Sequence, residues 1–201
     1  MEIWKKRKPT MILVTGASGK LGRKVVQELQ ATDVPLRLMV RDKKKVSDVS
    51  NVEVVEGDYR NPDSLKAAFE GIDRAFIVSL HERPMDRAKL HRNAFMAAED
   101  AGVDYVVYTS FQGAAEDSLF SMGRDHHQSE LYLQEAGLTY AALRNNYYME
   151  TAHEEVNERG MILNPAGDGR VAWVTRDDIA RVAAHLLLNP RSASEAVSYT
   201  H

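Results

Sequence analysis

Apolar residues along the chain follow two alternating rhythms. Short, nearly continuous runs rich in β-branched residues occur at MILVT (11–15), PLRLMV (35–40), VEVVEG (52–57), RAFIVSL (74–80), YVVYTSF (105–111) and TYAALR (139–144). Runs of this kind read as strands buried on both faces. Between them, residues 20–31, 62–70, 84–101 and 124–136 place apolar side chains near a period of 3.6 over helical lengths. Asn61 before Pro62 marks a helix start: the amide side chain can accept from a free backbone N–H, and proline lacks an N–H that the first turn leaves unused. Gly71, Gly102 and Gly137 each close a helical stretch a few residues before the next run. Strand and helix in this alternation predict an α/β fold, a doubly wound Rossmann-type parallel sheet with right-handed crossovers and helices on both faces. Past residue 145 the rhythm loosens. NPAGDGRVAWV (164–174) joins turn residues to a strand-like run, TRDDIARVAAHLLLNP (175–190) is an amphipathic helix ended by Pro190, and EAVSYT (195–200) is one more strand candidate.

Composition narrows the class. At 201 residues, 44% hydrophobic and 27% charged, the chain suits a single sizeable core. A formal charge of −3 gives no global attraction to nucleic acid, and the basic start KKRK (5–8) reads more simply as a solvated tail. Without cysteine there is no disulfide, thiolate nucleophile or Cys-ligated metal, which fits a reducing compartment. No apolar run approaches the roughly 20 residues that span a bilayer, and residues 1–9 lack the apolar core of a secretory signal, so a cytoplasmic protein without a membrane partner is expected. The seven histidines show no convergent metal-ligand spacing, and no metal site is expected.

The candidate chemistry begins at ILVTGASGKLG (12–22). If the first strand delivers its carboxyl end to the start of a helix here, Gly16 permits the turn, Gly19 lets backbone amides approach a pyrophosphate, and Gly22 allows close packing on the strand. Ser18, Lys20 and Leu21 lie in the same loop. The spacing, G-x-x-G-x-x-G, is one residue longer at its first gap than the usual dinucleotide fingerprint, and a ligand-free tight turn is the competing reading. The second run ends VRDKKK. An acidic residue at that position accepts from a ribose 2′-hydroxyl, whereas an arginine accommodates a 2′-phosphate. Arg41, supported by Lys45, therefore favours NADP(H) over NAD(H), with Asp42 as a competing ribose contact and the lysines readable as a solvated loop. Asp58 and Tyr59 end the third run near the expected adenine, where Asp58 is equally able to cap a turn. Ser79, Thr109 and Ser110 end the fourth and fifth runs along the same edge.

In order, TGASGKLG, VRDKKK, GDYRNPDSL, YTSF, LRNNYYME and GDGRVAWVTRDDIA make residues 11–190 resemble the NmrA-like group of atypical short-chain dehydrogenase/reductases, and most of all its NAD(P)H:quinone oxidoreductase type 2 branch. The resemblance implies a cofactor surrounded by residues 16–21, Arg41, Lys45, Ser79 and the stretch Asn145, Asn146, Tyr147 and Tyr148. The last stretch would lie near the nicotinamide, and residues 166–174 near the substrate. It also implies residues 1–10 as a basic extension and 11–201 as one NAD(P)-binding domain, with a short substrate-side part from about 146. Two departures stand out. The Tyr-x-x-x-Lys pair of the wider superfamily is missing, and Leu131 occupies the place where the branch carries a lysine. His126, His127 and Tyr147 remain as candidates for catalysis, the histidines being equally readable as exposed polar residues at a helix start. The group continues past the end of this sequence, so an open substrate side is also expected. Two functions follow from the resemblance: an NADPH-dependent reductase passing hydride to a quinone-like small molecule, or a non-catalytic NADP(H)-sensing regulator with a protein partner. A second copy of the chain is left open as a further partner.

Overall fold

A computed structural model describes residues 9–46, 52–83, 86–154, 156–161 and 168–198. Seven strands form one parallel sheet in the order β3-β2-β1-β4-β5-β6-β7. They are β1 (Ile12–Thr15), β2 (Leu36–Val40), β3 (Glu53–Glu56), β4 (Arg74–Ile77), β5 (Tyr105–Phe111), β6 (Tyr140–Asn145) and β7 (Glu195–Ser198). The helices are α1 (Lys20–Gln30), α2 (Pro62–Phe69), α3 (Asp86–Asp100), α4 (Ser121–Glu135), α5 (Met149–Glu154) and α6 (Arg176–Leu188). The strand order reverses between β1 and β4, which opens a crevice at the carboxyl edge where connections depart in opposite directions.

Alternation along the strands builds two cores. Ile12 and Val14 of β1, with Leu36, Leu38 and Val40 of β2, meet Val25 and Leu29 of α1 and Ile179, Ala183 and Leu187 of α6 on one face. Leu13, Ala75, Ile77, Val106 and Tyr108 point to the other face, against Leu65 and Phe69 of α2, Phe95 of α3 and Leu133 of α4. Both faces of the central strands are thus dry, as near-continuous apolar runs require.

Helix punctuation follows local chemistry. Asn61 accepts from the Ser64 amide at 3.2 Å with Pro62 behind it, and Thr175 accepts from the Asp178 amide at 3.0 Å to start α6. The sequence expectation differs from the structure in several places. Among the described residues, the strand-like run before residue 174 makes only an isolated bridge, Tyr148 to Val174, because the segment pairs with the 147–149 turn and not with the sheet. The fourth strand stops at Ile77, so Ser79 and Leu80 lie in the following loop. Helix α4 starts at Ser121, three residues early, and α5 was not anticipated. The KKRK start lies outside the described residues, as do residues 84–85, 162–167 and 199–201. Among the described residues no helix is long and apolar enough to cross a membrane.

Phe95 is fully buried between α3 and β5 and packs edge-on against Tyr108 at 5.2 Å. Phe95→Ala is expected to lower unfolding stability by about 3–5 kcal/mol, measured by urea denaturation; a change under about 1 kcal/mol would show that this face closes around the gap.

Candidate functional site

The turn from β1 into α1 depends on close approach. Gly16 has φ of 59°, and an added Cβ there would collide with Val78. At Gly22 a Cβ would run into the backbone of the turn, 2.9 Å from the Gly16 carbonyl carbon and 3.0 Å from the Ala17 Cα. The helix therefore starts hard against the strand. Gly19 is its cap residue, no side chain caps it, and no acidic residue stands in its first turn. The first amides of a helix have no intrahelical acceptor, and the dipole adds partial positive charge at this end. An anion is what such a terminus accepts, so the loop fits a diphosphate.

Two cavities adjoin this turn. The first, about 350 Å³, is lined by Gly16, Ser18, Gly19, Lys20, Leu21 and Gly22, and by Arg41, Asp58, Tyr59 and Ser79 among others. The second, about 400 Å³, includes Ser79, Ser110, Phe111, His126, Asn145, Tyr147 and Tyr148. Both share Lys20, Leu21 and residues 78–81, so they form one crevice along the sheet edge. Most of the anticipated residues meet there. Thr109 and the Lys45 side chain do not line either cavity. Thr109 accepts the Ser79 amide at 2.6 Å, and the Lys45 carbonyl receives Arg23 at 2.7 Å while Arg23 Nε donates to the Ser18 carbonyl at 3.0 Å. Arg23 thus ties the glycine loop to the turn after β2.

Two competing readings find partners. Asp42 Oδ1 accepts the Lys44 amide at 3.0 Å, and Asp58 Oδ1 accepts the Arg60 amide at 2.9 Å, so each closes a turn. Tyr59 lies under the crevice floor. Its buried hydroxyl donates to the Val78 carbonyl at 3.0 Å and lies 2.7 Å from Thr15 Oγ1, which in turn accepts the Val78 amide at 3.0 Å. These three residues bind the ends of β1 and β4 together. Burial raises the Tyr59 phenol well above its usual range, which suits a strut and not an acid.

Around the second cavity, Ser110 donates to Glu130 at 2.5 Å, and Glu130 also pairs with Arg144 at 2.6 Å. Asn145 is 2% exposed; its Nδ2 reaches the Tyr148 hydroxyl at 3.4 Å, while its buried Oδ1 has no partner among the described residues. Tyr147 is 46% exposed and stands edge-on to Phe111 at 5.9 Å and to Trp173 at 6.2 Å, an aromatic wall at the cavity mouth. Leu131 is half-buried on α4 and lines neither cavity.

The expectation of His126 as an exposed residue at a helix start is overturned, since it is buried within α4 with Nδ1 2.9 Å from the Tyr108 hydroxyl. Burial, reinforced by the Arg87 guanidinium, holds its pKa at about 3. His91, which the sequence reading did not single out, is fully buried beside it and held neutral by burial, His126 and Arg87. Its position with Ala88, Ala94, Phe95 and Ala98 on the apolar face of α3 was the available signal, because a polar side chain there needs partners. Arg87 pairs with Asp125 at 2.9 Å and donates to the Leu80 and Glu82 carbonyls at 2.9 and 2.8 Å, fastening the loop that lines both cavities.

A family model described as NAD(P)H-binding matches residues 16–190. The chain is 32% identical to an NAD(P)H azoreductase of Xenophilus azovorans, over 94% of this chain and 68% of that one. Among solved structures, it is similar to the Citrobacter sp. triphenylmethane reductase complexed with NADP(H), with a TM-score of 0.82 and 34% identity over 94% of this chain and 68% of that one. It also matches the NADPH-dependent quinone oxidoreductase of Escherichia coli complexed with NADPH, at TM-score 0.85 and 32% identity over 93% and 68%. The chain spans about two thirds of the length of these relatives.

His91 and His126 make stability pH-dependent. Both have folded pKa values below the unfolded value of 6.5, so their contribution is fully present above pH 6.5 and is lost as pH falls toward the folded values. The thermal midpoint is expected to hold above pH 7 and to fall between pH 6.5 and 4, more steeply than in His126→Gln; identical slopes would contradict a neutral, buried His126.

Proposed function

The chain belongs to the NAD(P)H-binding family, and on that premise we propose an NAD(P)H-dependent oxidoreductase that prefers NADP(H) and reduces a flat, electron-poor acceptor of the quinone class. The observation that carries this reading is the glycine-lined, uncapped start of α1, opening onto a crevice that runs to Asn145, Tyr147 and Tyr148.

The amides of Lys20, Leu21 and Gly22 hold the diphosphate, with Ser18 beside them. Arg41 forks onto the 2′-phosphate, a role that Asp42 does not contest while its carboxylate closes the Lys44 turn. Asn145, which lines the second cavity, would lie beside the nicotinamide. When bound, the reduced nicotinamide supplies two electrons and a hydrogen as hydride. Phe111 and Tyr147, with Trp173 beside Tyr147, offer aromatic surface on which a planar acceptor stacks. Reduction of a quinone asks little more, because the hydroquinone anion is a stable product that solvent protonates. Loss of the Tyr-x-x-x-Lys pair and of a lysine at position 131 is compatible with that chemistry. The regulatory reading has less support, because the more similar relatives carry enzyme names, while those with regulatory or assembly names are 23–26% identical.

Saturable NADPH oxidation with a simple quinone is the expected result; tight coenzyme binding without turnover would favour the regulator. Arg41→Ala should weaken NADPH about 10- to 100-fold and NADH less than about 2-fold, read by calorimetry. Equal losses would remove the 2′-phosphate assignment.

A further inference from the structure

A hydrogen-bonded series runs beneath the second cavity. His91 Nε2 accepts the Leu80 amide at 3.0 Å. A backbone N–H only donates, so Nε2 carries the lone pair and the proton of this neutral ring sits on Nδ1. From Nδ1, two hydroxyl oxygens are in reach: Ser129 at 2.9 Å and Tyr108 at 3.0 Å. Ser129 sends its own proton to the Asp125 carbonyl at 2.8 Å and therefore receives from its neighbours. Tyr108 cannot donate to a nitrogen that already holds a proton. That leaves it two acceptors, the Ser129 hydroxyl and His126 Nδ1 at 2.9 Å, and we take donation to His126. Acceptance at Nδ1 leaves the His126 proton on Nε2. That nitrogen has no partner among the described residues, and the ring lines the second cavity beside Phe111 and Asn145.

We infer that His91, Tyr108 and Ser129 are positioning residues that hold His126 with its Nε2–H in the second cavity, as the hydrogen-bond donor to the oxygen of a quinone-class acceptor. This rests on the reductase reading above and adds the group that meets the developing charge. A quinone that takes up a hydride gains two electrons and one hydrogen; both C=O π bonds are lost as the ring becomes aromatic, one oxygen carries the hydrogen and negative charge collects on the other. The His126 proton stays on Nε2 and solvent supplies the one that completes the hydroquinone. A neutral imidazole is suited to this, since it stabilises an oxyanion through a fixed N–H without surrendering the proton. The Leu80 amide fixes the proton of His91 on Nδ1, the inferred sense then has Tyr108 donate to His126, and Arg87 holds the loop carrying that amide.

The role distinguishes acceptors by their chemistry. A triarylmethyl cation becomes neutral when its central carbon takes up hydride, and no oxyanion forms. Donation from His126 therefore matters for a quinone and much less for such a cation.

The test has a spectroscopic arm and a kinetic arm, both on the full chain. Imidazole nitrogen NMR without added ligand should show His126 with a protonated Nε2 and a hydrogen-bonded, unprotonated Nδ1 from pH 8 to about 5. In Tyr108→Phe the Nδ1 resonance should move toward the position of a free imine nitrogen. A proton on His126 Nδ1, with the Tyr108 hydroxyl turned to Ser129, overturns the inference, and so does ordinary titration near pH 6.5. In steady-state assays with NADPH, His126→Leu should lower kcat for a benzoquinone about 100-fold and Tyr108→Phe about 10-fold, with little change in the KM for NADPH. His126→Gln, which keeps an N–H at a similar reach, should recover part of the loss. The losses on a triarylmethyl cation should be at least about 10-fold smaller; equal losses on both acceptors overturn the donor role. If the wild-type chain turns over neither acceptor, the reductase reading fails and the donor role with it, even where the nitrogen spectra show the hydrogen-bonded series intact.

Discussion

The approach of α1 to the end of β1 is the constraint on which the rest of the molecule depends. At Gly22 there is no room for a Cβ between helix and turn, and at Gly16 the backbone takes a positive φ directly under Val78. That contact does two things at once. It allows Leu21, Val25 and Leu29 to reach the core shared with α6, and it leaves the helix amides open at the crevice without a capping side chain. A bulkier turn would push the helix outward, lose apolar burial and close the anion site in one movement.

The crevice floor is held from below by polar groups that the fold fully employs. Thr15, Tyr59 and Val78 join β1 to β4 through three hydrogen bonds, and Arg87 holds the loop after β4 through two carbonyls and Asp125. Polar side chains in an apolar core carry a desolvation cost, so they persist where partners satisfy them. Here the partners also position the site: the same loop lines both cavities and carries the amide that fixes His91. Losing either member of the Arg87–Asp125 pair would leave an uncompensated buried charge, an effect on the order of 3–5 kcal/mol that reaches the site through the loop.

Much of this architecture could be read along the chain because its causes are local. Six apolar runs became six of the seven strands, and the four helical periods between them became α1 to α4 with ends displaced by a few residues. EAVSYT supplied the seventh strand through Glu195–Ser198. The run before Val174 misled, because an apolar segment pairs with whichever edge lies beside it, and here that edge is the turn at Tyr147. Asp58 and Asp42 were ambiguous for a related reason: a carboxylate after a strand can serve a ligand or the amide two residues on, and composition does not say which.

Periodicity, turn residues and helix caps act over a few neighbours, so the sequence by itself determined the α/β order, the glycine turn into α1 and the basic residue after β2. The tertiary structure alone decided what each buried polar atom faces. His91 on α3, Tyr108 on β5 and His126 on α4 are 17 and 18 residues apart in pairs along the chain, and their contact arises from packing two helices on one strand. The same holds for the unmatched Asn145 oxygen, an acceptor whose isolation is visible only once every neighbour is in place. Hydrogen-bond direction and desolvation belong to the assembled environment, and no local pattern of residues encodes them.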